Sequence, residues 1–130
     1  MSVNDQVVSS IGKGILVLAA VGPHDTRKDA ESMASKLLKM KLWPDENGLN
    51  WKRSVQEIGG EVLCVSQFTL YASTKKGNKP DFHGAAGGDM AKELYDYFLS
   101  RIQSLYQPER VKDGVFQATM QVSLVNDGPV

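Results

Sequence analysis

Few side chains in this sequence could carry a reaction, and they lie close together. Ser66 and Thr69, with Gln67 between them, place two hydroxyls and an amide within SQFTL at 66–70. A hydroxyl becomes a nucleophile when a neighbouring base takes its proton, and no histidine or carboxylate stands near these residues in the sequence. On pattern alone, hydroxyls bonded to the backbone are the plainer reading. Cys64 sits among Val62, Leu63 and Val65, where a small apolar packing residue is favoured over an activated thiolate. His24 and His83 fall in loop-like stretches without the spacing of a metal site, so both read as solvated rather than as ligands or general bases. A second group is electrostatic. Lys75, Lys76 and Lys79, followed by Phe82 and His83, combine phosphate-seeking charge with a ring able to stack on a base, which suits an RNA end. Solvation alone also produces lysine-rich loops.

The elements that must position these residues follow from periodicity. ILVLAAV at 15–21 is a continuous apolar run bounded by Gly14 and Gly22-Pro23, which predicts a buried strand. Thr26 and Asp29 have capping-box spacing, and Ala30, Met33, Leu37 and Leu38 then recur at helical intervals. WPDENG at 43–48 predicts a turn. Residues 51–57 predict a short strand, folded back into a hairpin at Gly59-Gly60. EVLCVSQFTLYA at 61–72 predicts a strand that is apolar on both faces until SQFT. Residues 73–88 predict a long loop. Asp89 is placed to cap a second helix with an apolar stripe of Met90, Leu94, Phe98, Ile102 and Leu105. At 115–125 the sequence alternates: Phe116, Ala118, Met120, Val122 and Leu124 face a core, and Gln117, Thr119, Gln121 and Ser123 face something polar. Strands outnumber helices and strict βαβ order is not evident. The expectation is an α+β domain with a largely antiparallel, strongly curved sheet and two helices packed on it.

Composition narrows the field further. A chain of 130 residues fits one domain with its own core. The 15 basic and 15 acidic residues cancel, so no overall field announces nucleic acid or membrane, and any such partner must be met locally. One cysteine excludes an internal disulfide and fits a reducing compartment. No stretch predicts a membrane span and MSVNDQVV does not read as a signal peptide, so a cytoplasmic protein is expected.

Three stretches in register, SQFTL at 66–70, KGNKPDFHGAA at 76–86 and MQVSLVNDGPV at 120–130, closely resemble the D-aminoacyl-tRNA deacylase family, and SIGKGILVL at 10–18 extends the likeness over nearly the whole chain. The resemblance implies a half-barrel-like deacylase fold, assembled as a homodimer with active sites at the interface. It implies hydrolysis of the ester at the 3′-terminal adenosine of D-aminoacyl-tRNA, a form of chiral proofreading. No cofactor, metal or membrane is implied. The ribose 2′-hydroxyl of the substrate is expected to help activate water while main-chain groups hold the ends of the substrate, so that position and exclusion do the work a triad would otherwise do.

Carried over by position, Ser66 and Gln67 line the pocket near the scissile ester. Thr69 is a weaker nucleophile candidate, for want of a base. Phe82 matches the aromatic position near the adenine, and Ala118 and Met120 border the same pocket. Gly128 and Pro129 match the Gly-Pro pair, with a cis peptide bond, that enters the partner's site as the chiral selector. A rigid group standing where an L side chain would go rejects the L isomer more sharply than attractive contacts can. The same comparison leads to the expectation that residues 1–130 lack the family's first strand and the end of its C-terminal strand. A non-catalytic nucleic-acid-binding module of the same fold is the alternative, on the strength of the lysine loop.

Overall fold

The computed structural model describes all 130 residues. The chain opens with a small antiparallel hairpin, β1 (Ser2–Val3) and β2 (Gln6–Val7), turned by Asn4 and Asp5, both at positive φ. Those residue types tolerate the left-handed region that two-residue hairpins require. The main sheet contains β3 (Gly14–Ala19), β4 (Glu61–Ser66) and β5 (Val111–Asp113), in that spatial order. Helix α1 (Arg27–Lys39) connects β3 to β4, and α2 (Gly88–Leu105) leads towards β5.

This three-stranded sheet is parallel throughout, with Val17 opposite Cys64 and Cys64 opposite Asp113. The α+β class and the two helices stand, but the expectation of a largely antiparallel sheet is overturned, since among the paired strands only β1 and β2 run antiparallel. Each successive strand of the main sheet is reached through a helix, and such a crossover returns the chain in the same direction. Apolar runs such as ILVL and VLCV fit a strand buried on both faces and do not by themselves distinguish the two directions.

The core forms where the helices meet one face of the sheet. Ala30, Ala34, Leu37 and Leu38 of α1 and Tyr95, Phe98 and Ile102 of α2 close over Val62, Cys64 and Val111. The Thr26–Asp29 capping box is present, with the Thr26 amide donating to Asp29 at 2.8 Å. Helix α2 is capped at Gly87, and Asp89 stands in the first turn, where its charge complements the helix dipole. Of the expected α2 stripe Phe98 and Ile102 are buried, while Met90 and Leu105 reach solvent.

Three expected strands resolve differently. Residues 51–57 form no strand: Ser54 and Glu57 bond reciprocally, Ser54 N–H to Glu57 Oε1 at 3.1 Å and Glu57 N–H to Ser54 Oγ at 3.3 Å. SVQE is itself a capping box, and it closes a turn. The strand expected over 61–72 stops at Ser66. The Gln67 amide donates to Ala19 at 2.7 Å, β3 has no further residues to pair, and Phe68–Tyr71 coils into a 3₁₀ turn. The stretch 115–125 belongs to no sheet. Gln117 takes φ 63°, and Gln121 makes only a bridge to Ser2. Its facing pattern survives as far as Val122, with Phe116, Ala118, Met120 and Val122 half-buried and Gln117, Thr119 and Gln121 exposed, but Leu124, expected to face the core, is 60% exposed.

Candidate active site

The ends of β3 and β4 open into a cleft of about 520 Å³. Ala20 and Val21 continue β3 along one side, and Val65, Ser66, Gln67 and Phe68 form the β4 side. The first turn of α2 contributes Gly88 and Ala91, and the 116–122 segment closes the cleft with Phe116, Ala118 and Met120. Ala86 N–H to Val21 O, at 3.1 Å, ties the loop before α2 to the end of β3. The lining is mostly small and apolar, so the walls constrain shape more than they offer reactive groups.

Ser66, Gln67, Ala118 and Met120, separated by some fifty residues in the chain, thus converge on one cavity. Thr69 lies just beyond it in the 3₁₀ turn, where its hydroxyl accepts a hydrogen bond from the Gln67 side-chain amide. No base contacts that hydroxyl. Phe82 reaches the cleft through Phe68, its ring edge-on at 5.3 Å between centroids. Gly128 and Pro129, joined by a cis peptide bond, are exposed and are not among the residues lining the cleft. Lys75, Lys76 and Lys79 are likewise exposed.

Main-chain groups are the less obvious resource. The N–H groups of Gln117, Thr119 and Met120 donate to nothing else in the chain, and opposite them, on the β4 side, Phe68 and Thr69 open the 3₁₀ turn ahead of its first hydrogen bond, Leu70 N–H to Gln67 O at 3.3 Å. Gly87 caps α2 without a side-chain hydrogen bond, which leaves the positive end of the helix dipole beside Gly88 in the cleft wall. Phe116, Gln117, Thr119 and the small residues at 86–91 are lining residues that the sequence reading does not mark. Gly87-Gly88 ahead of an apolar helical stripe was the available signal, because glycine permits close approach to a helix terminus.

Beneath the cleft lies a buried polar cluster. Tyr95 Oη donates to Asp113 Oδ1, and the Tyr95 ring lies 6.1 Å from Phe116 in the cleft wall. Burial, followed by the Asp113 contact, raises the Tyr95 phenol well above its ordinary range. Burial first, and then the Asp113 charge, push the Cys64 thiol up to about 12, so it is a protonated packing group at neutral pH. No three His, Cys, Asp or Glu side chains converge in a way that could hold a metal ion.

The family model for D-Tyr-tRNA(Tyr) deacylase matches residues 1–130. The chain belongs to this family. It is 57% identical over 132 residues to a D-aminoacyl-tRNA deacylase of Yarrowia lipolytica, covering all of this chain and 86% of that protein. It is 46% identical over 130 residues to D-aminoacyl-tRNA deacylase 1 of Danio rerio, where it spans 62% of the relative's length. A solved structure named c-Myc DNA Unwinding Element Binding Protein superimposes with a TM-score of 0.92 at 46% identity, over 99% of this chain and 86% of that one. No helix of the fold is long and apolar enough to cross a membrane.

Proposed function

We propose that the cleft between β4 and the 116–122 segment is where a D-aminoacyl-tRNA is hydrolysed, with the substrate's own 2′-hydroxyl assisting. The reaction is that of the family: water adds to the ester carbonyl carbon, the bond to the 3′-oxygen breaks, and that oxygen takes a proton. Free D-amino acid and tRNA are released. The observation that carries this reading is the convergence of Ser66, Gln67, Ala118 and Met120 on a cavity that has free main-chain donors and no activated side chain. Such a site can hold an ester and a water in reacting geometry, and orientation alone supplies about 7–11 kcal/mol in favourable cases.

In this reading Ser66 and Gln67 flank the ester, and the leading amides of the 3₁₀ turn, at Phe68 and Thr69, polarise or position it. Ala118 and Met120 bound the amino-acid side, and Phe82, against Phe68, meets the adenine. Gly128-Pro129, standing clear of its own subunit, reaches the site of a second copy and excludes L side chains. A homodimer with half-barrel curvature closed across the interface, acting in the cytoplasm, completes the picture. The test compares D-tyrosyl- and L-tyrosyl-tRNA: faster release of the D isomer is expected, and equal rates would refute chiral exclusion. Because exclusion has nothing to act on in an achiral residue, glycyl-tRNA is expected to be hydrolysed as well.

A second reading has one specific observation behind it, the likeness to a solved chain named for DNA binding together with the exposed lysine loop. A module that binds nucleic acid without catalysis would retain tRNA in a salt-dependent manner and deacylate no aminoacyl form.

A further inference from the structure

The loop at 79–83 contains an arrangement that the sequence does not reveal. Lys79, Pro80, Asp81, Phe82 and His83 surround a second, shallow depression. Asp81 is fixed there from both sides: its backbone pairs with Ser73, N–H to O at 2.8 Å in each direction, and its side chain is only 27% exposed. The Asp81 carboxylate accepts the His83 backbone N–H at 2.9 Å and also contacts the His83 ring at Nδ1. These His83 contacts hold the Asp81 carboxyl below its usual range, the backbone hydrogen bond most of all. The His83 side chain is 96% exposed, so its ring is oriented by the carboxylate without being buried, and Nε2 is presented to solvent. A histidine present only for solubility needs no such partner.

We infer that His83 and Lys79 form a subsite for the backbone phosphate of the nucleotide at the RNA 3′ end, with Asp81 as the positioning residue for His83. The inference rests on the reading of the neighbouring cleft as the ester site. Phe82, between the two polar residues, packs against Phe68 of the cleft, so a base held at Phe82 brings its phosphate to this depression. A cation, a stackable ring and an oriented ring nitrogen form a set that suits a single-stranded nucleotide. Both His83 contacts fall on Asp81 Oδ1, which ties part of the carboxylate's charge to the imidazole beside it.

The test measures binding, so its outcome is independent of hydrolysis. The probes are a single-stranded RNA oligonucleotide ending in CCA and, as a phosphate-free comparison, adenosine. His83→Ala is expected to weaken the oligonucleotide about fivefold or more beyond any change for adenosine. Lys79→Ala is expected to flatten the dependence of log Kd on log salt by about 0.7, the value for one phosphate contact on a single strand. Asp81→Asn separates positioning from repulsion. If Asp81 acts by orienting His83, the substitution weakens the oligonucleotide, and combined with His83→Ala it adds nothing further. If Asp81→Asn tightens binding, or if His83→Ala affects both probes equally, the subsite is refuted. Loss of the oligonucleotide on His83→Ala in a protein that hydrolyses no D-ester would uphold the subsite and refute the catalytic reading.

Discussion

Thr69→Ala distinguishes the two ways this cleft could cleave an ester. The only side chain bonded to the Thr69 hydroxyl is the Gln67 amide, which donates to it. If Thr69 only helps hold Gln67, its removal deletes one neutral hydrogen bond, about 0.5–1.5 kcal/mol. At about 1.4 kcal/mol per factor of ten, that is roughly a two- to twelvefold fall in kcat/KM. The lower end is expected, because Gln67 is only half-buried and water can replace the lost acceptor. If Thr69 were the nucleophile, the loss would be on the order of 10⁶-fold, as when a nucleophilic serine is removed from a hydrolase. Single-turnover release of D-tyrosine from tRNA, with Thr69→Ala and Thr69→Ser side by side, resolves five orders of magnitude easily. A loss beyond about a thousandfold that serine restores would refute substrate assistance. The complementary measurement replaces the terminal ribose 2′-hydroxyl with hydrogen and is expected to abolish release by the unaltered protein. Retention of rate within tenfold on that substrate would overturn the mechanism independently.

The cluster beneath the cleft gives two further expectations. Tyr95→Phe leaves the Asp113 carboxylate without its phenol partner and should cost about 1–3 kcal/mol of stability, read from the urea midpoint; an unchanged midpoint would show that the contact contributes nothing. The raised Cys64 value fixes the sign of an alkaline effect. Folding favours the neutral thiol, so its contribution is complete below the ordinary value of 9.0 and is lost as pH rises towards about 12. Tyr95, raised as well, acts in the same direction. Stability should therefore decline across that window, and less steeply in Cys64→Ala; equal slopes would assign the decline to other groups.

Much of the fold could be read locally, and the errors arose where pairing partners decide. Thr26 and Asp29 cap α1 as their spacing requires, because a capping box is satisfied within four residues. The burial of Leu37, Leu38, Phe98 and Ile102 follows from helical period. Strand extent is not local. SQFT looks continuous with VLCV, yet the ladder ends where β3 ends, a fact set by Gly22-Pro23 some forty-five residues earlier. The alternation at 115–125 gave which side chains turn inward as far as Val122 but not at Leu124, and it wrongly implied a ladder, since facing requires only a surface while a strand requires a neighbour. For the site, the family motifs marked Ser66, Gln67, Ala118 and Met120, which do meet. The main-chain donors beside them could not be found by residue type.

Those two misreadings bear on function, because they occur at the cleft. Had β4 continued through Tyr71 in a sheet, the amides of Phe68 and Thr69 would have been drawn into a ladder. Had 115–125 been a paired strand, those of Gln117, Thr119 and Met120 would have had neighbours too. Instead the ladder stops at Ser66, the 3₁₀ turn faces Phe116–Met120 across the cavity, and the segment opposite keeps unpaired N–H groups at Gln117, Thr119 and Met120. An unmatched amide is tolerable where water reaches it, and a ligand that displaces the water must supply acceptors in its place. Ester, ribose and purine are rich in acceptors. Backbone donors also keep their positions when side chains vary. The absence of a base beside Ser66 and Thr69 is therefore consistent with a site built from main chain, in which residue identity serves chiefly to stop the ladder and keep the walls small.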